Sequence, residues 1–137
     1  MKTAMESNRK VLVVDDDTLS LEYLKYVLSK KYDVYTAEGV KSFYDIINQI
    51  KVDLIIMDVS LKDTKTGFQL TQELKTDERF KEVPVFILTA FSSQKEQQNA
   101  FDAGADQFLT KPTNARQLIS LIEKELHKTR LDFGSFS

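Results

Sequence analysis

The chain contains no cysteine, which excludes disulfides, thiolate zinc sites and cysteine nucleophiles. Histidine is nearly as scarce, and His127 alone cannot build a multi-histidine metal centre. Neither sign of charge is in excess. The formal net charge is −2 over 137 residues, so no basic field argues for binding to nucleic acid or to a membrane surface. Long apolar runs are missing too. The longest, such as Val11–Val14 and Leu54–Met57, reach only a few residues, whereas a membrane-spanning helix needs about 20. Residues 1–9 form a polar leader without the apolar stretch of a secretory signal, so the cytoplasm is the expected location. No internal repeat, low-complexity stretch or linker divides the chain.

What remains is ordinary for one globular domain: 42% apolar and 29% charged residues, in a chain long enough to bury a core without covalent or metal staples. Five short apolar runs read as strands: Val11–Val14, Val34–Ala37, Leu54–Met57, Val85–Leu88 and Phe108–Thr110. The first, third and fourth are continuous rather than alternating, the pattern of strands covered on both faces. Between and after the runs lie segments of helical spacing. Leu21, Leu24, Val27 and Leu28 share one face of a first helix, with Asp17 or Thr18 placed to cap it. Val40, Phe43, Ile46, Ile47 and Ile50 mark a second, and Phe68, Thr71 and Leu74 a third that opens at Gly67. Ser93 and Glu96 suit a capping box for a fourth, which stops near Gly104. Leu118, Ile119, Ile122 and Leu126 define a fifth. Strand and helix alternate five times, which predicts an α/β fold with a doubly wound, five-stranded parallel sheet over 10–128. Residues 129–137 form a C-terminal tail.

In such a sheet, functional groups gather outside the carboxyl ends of the strands. Position therefore selects candidates before chemistry does: Asp15, Asp16 and Asp17 after the first run, Asp58 after the third, Thr89 at the end of the fourth and Lys111 after the fifth. Asp15, Asp16 and Asp58 would share one small volume. Two like charges about 4 Å apart repel by about 4 kcal/mol at an effective dielectric near 20. Such crowding calls for a cation among the carboxylates or for protonated carboxyls. Hard oxygen ligands without histidine or cysteine suit Mg²⁺, which keeps places for water or phosphate oxygens. Asp17 reads better as a helix cap. The Asp58 carboxylate can act as a covalent nucleophile toward phosphorus, with electrostatics and positioning supplying the catalysis. Lys111, held extended by Pro112, is the natural counter-charge, and the Thr89 hydroxyl could donate to a phosphate oxygen.

Four segments, in this order, resemble the receiver domain of two-component response regulators: Val11-Leu-Val-Val-Asp-Asp-Asp17, Asp53-Leu-Ile-Ile-Met-Asp58, Val83-Pro-Val-Phe-Ile-Leu-Thr-Ala90 and Ala103-Gly-Ala-Asp-Gln-Phe-Leu-Thr-Lys-Pro112. The resemblance covers about Lys10 to Lys128 and implies a flavodoxin-like (βα)5 fold. It implies that Asp58 accepts a phosphoryl group from a phosphohistidine on a sensor histidine kinase or histidine phosphotransfer protein. It implies Mg²⁺ held by Asp16, Asp58 and the backbone carbonyl of Ser60, with Asp15 acting through water. Lys111 and Thr89 would contact the phosphate, and Phe108 would be the aromatic switch that follows Thr89. The output would be a further domain or a partner protein, with no direct nucleic-acid or membrane contact by this domain. The face made by the fourth helix, fifth strand and fifth helix would serve partners or a homodimer. Such a domain is no enzyme beyond catalysing its own phosphorylation and dephosphorylation.

Two departures stand out. Leu61-Lys62 replaces the family's Met-Pro, and Asp63-Thr-Lys-Thr-Gly67 is one residue longer than the family's loop, so the loop is expected to be more mobile. Phe91, two residues after Thr89, and Ser60, two after Asp58, would flank an attacking water; an apolar Phe91 predicts slow self-dephosphorylation. The fourth helix, with Phe101 as its only large apolar side chain, is expected to be weakly anchored and free to shift. Two other readings fit some of these residues. A haloacid-dehalogenase-like phosphatase would use Asp15-Asp16-Asp17 as Asp-x-Asp, with Asp15 as the nucleophile. A binding module with the same fold would work without phosphate.

Overall fold

The computed structural model describes residues 8–90 and 93–134. Ten elements alternate along the chain: β1 (Lys10–Val14), α1 (Thr18–Leu28), β2 (Asp33–Ala37), α2 (Val40–Gln49), β3 (Leu54–Met57), α3 (Gly67–Thr76), β4 (Val85–Thr89), α4 (Gln94–Asp102), β5 (Gln107–Thr110) and α5 (Ala115–Gly134). The strands form one sheet in the order β2-β1-β3-β4-β5, and every neighbouring pair is parallel. This is the expected doubly wound architecture. The three continuous apolar runs, β1, β3 and β4, are the three interior strands, and Leu54 to Met57 and Val85 to Leu88 are almost wholly inaccessible. Both of their faces are covered by helices, so neither face needs polar residues.

Successive side chains of a strand point to opposite faces, which splits the core in two. Leu12, Val14, Ile55, Met57 and Ile87 pack with Phe43 and Ile47 of α2 and with Leu70 and Leu74 of α3. Val11, Val13, Ile56, Phe86 and Leu88 pack with Leu21, Leu24 and Leu28 of α1 and with Leu118 and Ile122 of α5. Burying one such leucine or phenylalanine side chain contributes about 1.5–3 kcal/mol, so the sheet is a rigid platform for whatever its ends carry.

The helix ends follow local chemistry. Asp17 caps α1 by accepting from the Leu19 amide at 3.1 Å. Ser93 accepts from the Glu96 amide at the start of α4. Thr66 and Gln69 make a reciprocal capping box at α3, a Thr-x-x-Gln signal that sequence reading passed over in favour of Gly67. Past the end of α4, Gly104 turns the chain with φ of 102°, a backbone shape that suits glycine. The packing of α4 fits the weak anchoring expected of it: Phe101, its only large apolar side chain, is 45% exposed, and Ala100 is the helix's one fully buried residue. α5 continues past Lys128 as far as Gly134, and so runs into the segment read as a tail.

Candidate functional site

β1 and β3 lie side by side with Val14 opposite Met57, so the residues that follow them, Asp15 and Asp58, leave the sheet together. Backbone bonds hold both. The Asp58 amide donates to the Val14 carbonyl at 2.9 Å, and the Asp15 amide to the Ala37 carbonyl at 3.0 Å. Asp15, Asp16 and Asp58 each bring a carboxylate oxygen into a group whose members all lie within 4.8 Å of one another. Asp15 and Asp58 are only 2% and 7% exposed. The Lys111 ammonium reaches in from the end of β5, 2.6 Å from Asp15 Oδ2 and 3.4 Å from Asp58 Oδ2. Its own amide donates to the Thr89 carbonyl at 2.8 Å, and the Lys111–Pro112 peptide is cis.

Burial and crowding set the charges. Burial pushes the Asp58 carboxyl up from 3.8 to about 6; the neighbouring Asp15 charge adds to this, and Lys111 opposes it. Burial also pulls the Lys111 ammonium down, but its hydrogen bond to Asp15 and the charges of Asp58 and Asp15 together hold it above its ordinary value. One ammonium faces three carboxylates. This imbalance, with an all-oxygen donor set of small span, fits a hard divalent cation such as Mg²⁺. Bound there, the cation would neutralise charge on a phosphoryl group arriving at Asp58.

Thr89 ends β4 and is 1% exposed. Phe108 is half-buried and packs against the α2–α3 side of the core. Ser60 is exposed, two residues beyond Asp58. Asp17 is exposed, and its carboxylate is spent on the Leu19 amide and the Ser20 hydroxyl, which leaves the Asp-x-Asp of a phosphatase without its second member. Phe91, on which slow dephosphorylation was predicted, lies outside the described residues.

Three features escaped sequence reading. Gly67 packs so closely that a Cβ there would sit 2.0 Å from the Asp58 carbonyl oxygen; the signal was a glycine next to a helix cap. The loop from Asp58 to Gly67, expected to be more mobile, makes contacts that the sequence does not announce. Leu61 is 3% exposed in the core, the Gly67 amide donates to the Val59 carbonyl at 2.8 Å, and Lys65 donates to Tyr44 at 2.8 Å and to Glu73 at 2.5 Å. Finally, Leu19, Tyr23 and Tyr26 stand exposed on α1 at a spacing that places them on one face. Leu19 and Tyr23 border a groove of about 440 Å³ whose lining includes Asp17, Leu24, Lys111 and Pro112.

Comparison with known proteins agrees with this geometry. The chain matches the response regulator receiver domain family over residues 11–123. The DNA-binding dual master transcriptional regulator RpaA of Synechocystis is 33% identical over 122 residues, which are 88% of this chain and 50% of that protein. The heme response regulator HssR of Staphylococcus aureus is 31% identical over 90% of this chain and 54% of its own length. Among solved structures, a CheY-like receiver domain protein from Methanospirillum hungatei superposes with a TM-score of 0.84 at 25% identity, covering 92% of this chain and 99% of that one. The chemotaxis protein CheY4 of Vibrio cholerae gives 0.80 at 27% identity, covering 86% and 98%. The chain belongs to the receiver domain family of two-component response regulators. It spans about half the length of the curated relatives it matches.

Proposed function

We propose that this chain is a phosphorylation-driven switch that takes a phosphoryl group on Asp58 from a phosphohistidine of a histidine kinase or histidine phosphotransfer protein. The observation that carries the reading is the Asp58 carboxylate, buried between Asp15, Asp16 and Lys111 at the carboxyl end of the sheet. In the transfer, the phosphorus–nitrogen bond of the donor breaks as a bond forms between phosphorus and an Asp58 carboxylate oxygen, and the donor imidazole leaves with the electron pair. Asp58 must be ionised to attack, and Lys111 favours that state. Asp16, Asp58 and the Ser60 carbonyl would hold Mg²⁺, with Asp15 acting through water. Lys111 and Thr89 would then hold the phosphate oxygens, and Phe108 would follow Thr89 inward.

Phosphate adds about two negative charges and strong acceptors, and it shifts a pre-existing balance by its differential affinity for the two states. The lightly held α4 is the element cheapest to displace. Its surface, with β5 and α5, would meet an output domain, a partner protein or a second copy. The exposed stripe on α1, beside the groove that reaches Lys111, suits docking of the phosphodonor. Turnover is confined to the domain's own phosphorylation and slow dephosphorylation, in the cytoplasm. Among the described residues, no helix is long and apolar enough to cross a membrane.

The test is incubation with acetyl phosphate and Mg²⁺, followed by intact mass. Wild type should gain one phosphoryl group and Asp58→Asn none, while loss of labelling only in Asp15→Asn would point to the phosphatase chemistry instead. Wild type that stays unmodified, yet still captures a partner, would favour the phosphate-independent binding module.

A further inference from the structure

The Asp63 carboxylate is placed where the loop after β3 meets the N-terminus of α2. α2 starts at Val40, and its N-cap is Gly39, which has no side chain to offer. Ser42 is turned back onto the Glu38 and Gly39 amides, at 3.1 and 3.2 Å, so it leaves the Val40 amide to another acceptor. That acceptor is Asp63 Oδ2, 3.0 Å away and 23 positions along the chain. Asp63 Oδ1 meanwhile accepts from the Thr64 amide at 2.6 Å. These two backbone bonds, the one from Val40 foremost, hold the Asp63 carboxyl below its usual range. The approach is close: a Cβ on Gly39 would lie 2.7 Å from Asp63 Oδ2.

The position of this bond gives it meaning. The segment from Ala37 to Val40 anchors two parts of the site at once. The Ala37 carbonyl holds the Asp15 amide, and the Val40 amide holds Asp63. The loop that leaves Asp58 carries Ser60, buries Leu61, turns at Lys62 with φ of 51°, and then reaches Asp63. Besides the bond from the Gly67 amide to the Val59 carbonyl that closes it, the loop is tied by Lys65 to Tyr44 and Glu73, between partly exposed side chains. Asp63 instead grips the backbone of a helix, which moves less than a side chain on a flexible stem.

We infer that Asp63 is a positioning residue for the metal site: by capping α2 from the β3–α3 loop, it holds the segment bearing the Ser60 carbonyl in register with Asp15, Asp16 and Asp58. The inference rests on the metal-dependent reading proposed above. It also gives the extended loop Asp63–Gly67 a purpose, since a loop that is longer and loosely closed would otherwise cost order at the site.

The experiment measures Mg²⁺ binding to the full chain by calorimetry, with thermal unfolding alongside. Residues behind metal ligands typically contribute roughly 10- to 100-fold in affinity. Asp63 is an exposed residue acting through one part-buried bond, so Asp63→Ala should weaken Mg²⁺ binding less than that, about 3- to 10-fold. Asp63→Asn keeps an acceptor for the Val40 amide and should stay within about 2-fold of wild type. Gly39→Ala, which crowds the same oxygen, should weaken binding too, and the double variant Gly39→Ala, Asp63→Ala should be no weaker than Asp63→Ala. An Asp63→Ala protein that melts earlier yet binds Mg²⁺ like wild type would overturn the inference and leave Asp63 a plain helix cap. Asp16→Asn separates the two levels: if it loses Mg²⁺ while Asp63→Ala does not, only this inference fails. Wild type without measurable Mg²⁺ affinity would remove both.

Discussion

Asp58→Asn should make the metal-free protein more stable, and the structure sets the size and the pH range of the gain. Burial and the Asp15 charge raise the Asp58 carboxyl from 3.8 to about 6, a shift worth about 3 kcal/mol. Between those values the unfolded chain has released its proton while the folded chain still holds it. The fold therefore loses stability as pH rises through this interval, and the full cost is present above about 6. Water penetration and relaxation will reduce the figure, so about 1–3 kcal/mol is expected at about pH 7.5. For a chain of this length that is about 3 to 10 °C in melting temperature. Near pH 4 the two proteins should differ little, because Asp58 is then protonated in the folded state. Urea unfolding of wild type and Asp58→Asn, with a chelator and across this pH range, reads the difference. Adding Mg²⁺ to about 100 times its Kd should return about 2.7 kcal/mol to wild type and much less to the variant, which has lost a ligand. Equal stabilities at about pH 7.5 without metal would refute the claim that Asp58 is a crowded, costly anion.

Lys111→Ala should cost the metal-free protein about 3 kcal/mol or more above about pH 6.5, because it strips the paired cation from two buried carboxylates; Mg²⁺ should restore part of that, and unfolding curves with and without metal would show it. Gly67→Ala should destabilise by about 1–3 kcal/mol and slow labelling by acetyl phosphate, since its Cβ cannot coexist with the Asp58 carbonyl 2.0 Å away; a variant as stable and as reactive as wild type would show that this close approach is relaxed. Phe86→Ala should lose about 3–5 kcal/mol with Mg²⁺ affinity nearly unchanged, a contrast that separates platform from site in one pair of measurements.

Much of this was legible in the chain itself. The continuous apolar runs of β1, β3 and β4 named the interior strands, because a strand covered on both faces needs no polar alternation. The rule that strand ends carry function then picked Asp15, Asp58, Thr89 and Lys111 without any coordinates. Asp17 and Ser93 announced their helices through bonds that span two or three residues. Such signals are local, so sequence suffices to read them.

Other features depended on tertiary placement. Lys111 meets Asp15 at 2.6 Å and Asp58 at 3.4 Å, although β3 and β1 lie two and three strands away from β5 in the sheet, and no spacing encodes that difference. Gly67 is required by a carbonyl nine positions upstream, and Gly39 lies close against a carboxylate twenty-four positions downstream. The loop beside Asp58 looked slack because its anchors lie elsewhere: Val40 and Tyr44 on α2 and Glu73 on α3. The sequence left open which residue of α4 meets the core, and in the fold it is Ala100 that is buried there while Phe101 stays 45% exposed. Composition and periodicity decide which elements form and which ends they offer; the packing of those elements decides which distant groups touch.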